Sequence, residues 1–122
     1  MNWRSNAQGF LRSFSFAGQG VWRTVRSQRN MRVHLVAAMA VIVAAALLQI
    51  SALAWACVIL AIGLVIVSET LNTVVEALTD LFEPQSHPLA KTAKDAAAGA
   101  VLLASLTAVG VAVAVFGSRI LG

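Results

Sequence analysis

Glu69, Asn72, Glu76 and Asp80 punctuate the stretch SETLNTVVEALTD, residues 68–80, directly after the uncharged run CVILAIGLVIV. At about 100° per residue, a helix would gather these four within an arc of roughly 80°, and Glu83 would extend the same stripe. One helix face would then carry a ladder of oxygen ligands with an amide among the acids. Crowded carboxylates repel one another unless cations, protons or basic partners offset them. Oxygen-only ligation suits Mg²⁺, which is typically held by one or two carboxylates together with substrate phosphates. The spacing supports neither a histidine-rich nor a thiolate metal site. Glu69 borders the apolar run, making it the acid nearest hydrocarbon and the candidate general base. Asp80 and Glu83 also fit a plainer role as solvated residues of an emerging helix.

A second polar cluster lies in HPLAKTAKDAAAGAVLLA, residues 87–104. Lys91 and Asp95 are four apart and can pair along one helix face. Lys94 points elsewhere, toward a phosphate or toward the carboxylate stripe. The small residues Ala96 to Ala100 that follow would let another helix approach closely. Taken alone, this cluster also fits a Lys/Asp helix start at the headgroups, followed by a packing seam.

The elements that position these groups belong in a membrane. Of 122 residues, 59% are hydrophobic and 11% charged, with a mean hydropathy of +0.82. Soluble domains carry about 25% charged residues. We read one domain over residues 1–122, all-α, with an N-terminal amphipathic interfacial helix over about 5–28. Three transmembrane helices follow, over about 31–50, 52–82 and 92–118, each near or above the roughly 20 residues a crossing needs. The middle helix has no Gly or Pro in VSETLNTVVEALTDLF and continues past the hydrocarbon, so its acids stand at one membrane face. Pro84 and Pro88 interrupt the second link. Cys57, the single cysteine, offers no disulfide and reads as a packing residue. The Arg-rich first thirty residues do not resemble a cleavable signal.

Eight of the nine basic residues fall in the N-terminal segment or the second link, and residues 1–32 contain no acid. The positive-inside rule therefore puts the N-terminus and the carboxylate stripe in the cytoplasm, and the C-terminus outside. Phe10, Leu11, Phe14, Ala17, Val21, Trp22 and Val25 share one helical face, opposite Arg12, Arg23 and Arg26. That pattern describes a helix lying among anionic headgroups, and the basic excess needs no nucleic acid to explain it. Phe16 lies off the apolar face and needs another partner, either a neighbouring helix or a nucleotide base. The chain carries no G-x-x-x-x-G-K-[ST], no kinase glycine loop and no G-x-G-x-x-G.

ETLNTVVEALTDL, HPLAKTAKDAAAGAVLL and RNMRVH, in their spacing here, resemble the small prokaryotic integral-membrane lipid kinases, the diacylglycerol kinase and undecaprenol kinase family. The resemblance covers nearly the whole chain. It implies a homotrimer in the prokaryotic inner membrane that moves the γ-phosphoryl of MgATP to a lipid hydroxyl, at sites composed from neighbouring subunits. Glu69 matches the family's general base and Asn72 its neighbour in the site. Glu76 matches a Mg²⁺ ligand. Lys94 and Asp95 match a pair at the nucleotide, His87 lies in the link closing over it, and Phe16 matches an aromatic residue near it. Where many members carry a Glu as a second acidic metal ligand, this chain has Gln28, whose carbonyl ligates without charge. The sequence around the A-K-D motif is more like the undecaprenol kinase branch. Two other classes stand beside this reading. A small proton-coupled transporter would place Glu69 near mid-membrane, and a catalytically weakened assembly protein would be consistent with Gln28.

Overall fold

The computed structural model describes residues 3–83 and 85–122, so Pro84 lies outside the described residues. They form four helices: α1 (Trp3–Ser27), α2 (Arg29–Leu47), α3 (Ala52–Phe82) and α4 (Pro88–Leu121). There is no strand among the described residues. The helices α2, α3 and α4 are each long and apolar enough to cross a membrane. At 1.5 Å per residue, the 19 residues of α2 span about 28 Å, whereas the 31 of α3 span about 46 Å. The hydrocarbon is about 30 Å thick, so α3 reaches well beyond it.

Helix α3 is the centre of the fold. It packs most extensively along α4 and also against α2, while α1 touches α2 and α3. Its buried residues are Val58, Ala61, Val65, Ser68, Glu69 and Asn72, spaced at helical intervals along one seam. At the end of the bundle where α2 meets α3, Ala45, Ile50 and Val58 form the apolar core, with Trp55 and Phe116 packed against it. Cys57 stands one residue off that seam and is exposed, contrary to its expected packing role.

The first link is set by hydrogen bonding. Gln49 adopts a left-handed conformation (φ 51°). Its N–H donates to Ala46 O at 3.3 Å, and the N–H of Ile50 donates to Ala45 O at 3.3 Å. This is the Schellman pattern of helix termination, and it ends α2 three residues before the expected position. Arg119 Nε donates to the Leu48 carbonyl at 2.8 Å, satisfying another end group from α4. Ser51 then starts α3, its Oγ accepting from the Ala54 N–H at 3.2 Å.

At the opposite end, α4 begins at Pro88, four residues earlier than expected. Proline suits the first helical position because the N–H it lacks would have no helical partner there. His87 caps the helix, its Nδ1 accepting from the Leu89 N–H at 3.1 Å. Helices α1 and α2 meet at Gln28, whose extended backbone (φ −108°, ψ 114°) interrupts the helical path. Arg32 secures this joint, with Nη1 donating to the carbonyls of Val25 at 3.1 Å and Arg26 at 2.6 Å. Thr24 and Met31 are buried beside it. The apolar residues Phe10, Leu11, Phe14 and Trp22 of α1 remain exposed, as an interfacial face requires, and Phe10 stacks edge-on against Phe14.

Candidate active site

The carboxylate stripe is a continuation of the α3 packing seam. Val58, Val65, Glu69, Asn72 and Glu76 follow one another on that face, and their burial fades along the helix. Glu69 is 1% exposed and Asn72 8%, Glu76 is half-buried, and Asp80 and Glu83 are exposed. The helix thus carries its acids from a dry seam out to its open end. Thr73 and Thr70 do not compete for them, since their hydroxyls donate to backbone carbonyls one turn back.

The buried end is incompletely satisfied. Both carboxyl oxygens of Glu69 and the Oδ1 atom of Asn72 are buried without a hydrogen-bond partner. Asn72 Nδ2 donates to Glu76 Oε1 at 3.3 Å. His34 of α2 faces Glu69, with Nε2 3.6 Å from Oε2. Leaving a buried polar atom unpaired costs about 1–3 kcal/mol, so such atoms ask for an explanation such as a ligand or a catalytic role. Glu76 and the unmet oxygen of Asn72 beside it are hard oxygen donors, and this chemistry fits Mg²⁺. No three His, Cys, Asp or Glu side chains among the described residues converge to hold a metal by themselves. Gln28 sits at the α1–α2 joint, half-buried, and its side chain does not cap α2.

The second cluster forms two ion pairs. Lys91 Nζ lies 2.5 Å from Asp95 Oδ2, the expected spacing of four along α4. Lys94 Nζ lies 2.6 Å from Asp80 Oδ1, tying α4 to the outer part of the stripe on α3. Exposed pairs of this kind are screened by solvent and contribute little to stability, so an incoming polyanion can displace them. His87 stands at the same end as the cap of α4. Phe16 is 64% exposed on α1. The structure therefore brings Glu69, Asn72 and Glu76 together, and separately joins Lys94 to Asp80 and Asp95 to Lys91.

Sequence reasoning overlooked one of these partners. His34 enters the sequence analysis only as the last residue of RNMRVH, although an ionisable group in a crossing is itself a functional signal. The expected turn of Lys94 toward the carboxylate stripe is met at Asp80, where α4 lies beside α3.

Fold and site together define a polytopic all-helical membrane protein whose polar groups gather toward one end of its central helix, α3. The chain belongs to the prokaryotic diacylglycerol kinase family, whose model matches residues 15–116. It is 45% identical over 98 residues to an undecaprenol kinase of Bacillus subtilis, covering 80% of each chain. It is 49% identical over 104 residues to a diacylglycerol kinase of Synechocystis, covering 84% of this chain and 59% of that relative. A diacylglycerol kinase of Escherichia coli is 32% identical over 109 residues, with 86% of this chain and 88% of the relative covered. The chain is accordingly an enzyme, a membrane kinase.

Proposed function

We propose that this enzyme transfers the γ-phosphoryl group of ATP to the hydroxyl of a membrane lipid, with undecaprenol the favoured acceptor and diacylglycerol second. The buried, unpartnered carboxyl group of Glu69 carries the proposal. Glu69 takes the acceptor's proton as the lipid oxygen attacks the γ-phosphorus and the bond to the ADP oxygen breaks. Asn72 orients Glu76 through the 3.3 Å amide contact. Glu76 and the amide oxygen of Gln28 would hold Mg²⁺, which when bound neutralises phosphate charge. Lys94 exchanges Asp80 for the phosphates, and Asp95, His87 and Phe16 complete the nucleotide's surroundings. Phosphoryl transfer asks chiefly for such positioning and charge neutralisation.

The distribution of basic residues supports an orientation in the prokaryotic plasma membrane with the N-terminus, Glu69 and the second link on the cytoplasmic side, where ATP is. The similarity to the Bacillus enzyme over most of both chains, with the sequence around Lys94 and Asp95, favours undecaprenol. The test is phosphoryl transfer from [γ-³²P]ATP and Mg²⁺ in detergent micelles containing either lipid. Label is expected in undecaprenol phosphate, and Glu69→Gln should abolish most of it. Label in neither lipid, or a Glu69→Gln enzyme as active as wild type, would sink the proposal.

A further inference from the structure

We infer that His34 is a positioning residue for this reaction, its imidazole holding Glu69 by Oε2 and leaving Oε1 free for the acceptor hydroxyl. The inference rests on the reading of Glu69 as the base.

Three observations lead to it. Glu69 is buried on the α2–α3 seam, and His34 is the one basic side chain among the described residues within ion-pair distance of it, at 3.6 Å. Three other cations of that end are engaged elsewhere: Arg32 on the carbonyls of Val25 and Arg26, Lys94 on Asp80, Lys91 on Asp95. Finally, His34 is 23% exposed and heads a lateral groove of about 320 Å³ between α2 and α4, floored by Ile62, Val65 and Ile66 of α3. Apart from Ser105, the rest of its lining is apolar. The imidazole therefore stands between a space open to the lipid-facing side and the buried carboxyl group.

A separation of 3.6 Å exceeds a formed hydrogen bond. Catalytic contacts are commonly long in the free enzyme and tighten when substrate binds. With the proton on Nε2, the ring donates to Oε2 and fixes the carboxyl plane. Glu69 has no other hydrogen bond to fix its rotamer. Loss of the imidazole leaves the base free to rotate, and misplacement by about 1 Å can cost on the order of 100-fold in rate.

The experiment measures kcat and KM separately for His34→Ala and His34→Gln in micelles, with MgATP and whichever of undecaprenol and diacylglycerol the wild type phosphorylates. His34→Ala should lower kcat by about 10- to 100-fold while KM for MgATP stays within about two-fold. His34→Gln, whose amide N–H can still reach Oε2, should recover most of that loss and keeps the test valid if the alanine variant folds poorly. In a Glu69→Asp background, whose shorter carboxyl group no longer reaches the ring, His34→Ala should cost less than about three-fold, because paired groups are not additive. If Glu69→Gln keeps wild-type kcat, the reading of Glu69 fails and takes this inference with it. If Glu69→Gln is crippled while His34→Ala and His34→Gln stay within about two-fold of wild type, or the losses multiply in the double variant, His34 alone is refuted.

Discussion

Keeping the Glu69 carboxyl group buried without a hydrogen bond works against folding, since each unsatisfied buried atom costs about 1–3 kcal/mol. A residue retained at that cost is expected to trade stability for activity. Glu69→Gln should therefore lower phosphoryl transfer by about 10²- to 10⁴-fold, the usual contribution of general-base catalysis. Its thermal midpoint in detergent should stay level or rise; a large fall would assign Glu69 to the packing instead. Gln28 provides a second test at this scale. Replacing its neutral amide by a carboxylate restores a charged oxygen donor of the type Mg²⁺ prefers. Gln28→Glu should lower the Mg²⁺ concentration for half-maximal activity several-fold, and an unchanged Mg²⁺ titration would place residue 28 outside the metal site. The stripe itself was readable because 69, 72, 76 and 80 share a face in any helix. His34 was not, because its partner lies on another helix and spacing within one element is silent about that.

The elements show the same division between local and tertiary information. An apolar run from residue 53 and the absence of Gly and Pro across 67–82 specify α3 from the sequence alone, and its observed bounds, Ala52–Phe82, follow from Ser51 as cap and the end of the apolar pattern. The end of α2 was less visible. Helix-terminating αL positions are usually glycine, and here a glutamine occupies one, so the signal was missing. The geometry is held instead by the two Schellman hydrogen bonds, by Ile50 packing beside Ala45, and by Arg119 reaching from α4. A side chain in the left-handed region carries a strain of about 1–2 kcal/mol, while glycine costs about 0.4–1 kcal/mol through the unfolded chain. Gln49→Gly should thus stabilise the protein by about 0.5–1 kcal/mol, raising its thermal midpoint without altering kcat. Gln49→Val should lower it, because a branched side chain fits this conformation worst. Equal midpoints for both variants would mean that the turn is not held in the left-handed region.

At the scale of the whole molecule, one chain holds the candidate groups in separate places. Glu69 lies in the α2–α3 seam, whereas Lys91 and Asp95 stand exposed on α4. No three potential metal ligands of the His, Cys, Asp or Glu type meet among the described residues. The small-residue run from Ala96 to Ala100 was expected to admit a close helix, yet a Cβ added at Gly99 would meet nothing within 4 Å. Gly99 is therefore not a point of close helix approach within the chain. The family resemblance implies a homotrimer with sites shared between neighbours, and this arrangement would bring such dispersed groups together. It makes a quantitative prediction. Glu69→Gln and Lys94→Ala subunits, each inactive alone, are unfolded, mixed in equal amounts and refolded into micelles. If Glu69 of one chain serves the nucleotide held by Lys94 of the next, a site is intact when a Lys94→Ala chain supplies the base and a Glu69→Gln chain the lysine. Random assembly of a cyclic trimer gives about one quarter of sites in that state, so activity should return to about a quarter of wild type. If both residues act within one chain, every site carries a lesion and mixing restores nothing. Cross-linking of the same samples should stop at three chains, and a mixture that reaches only dimers would overturn the trimer itself.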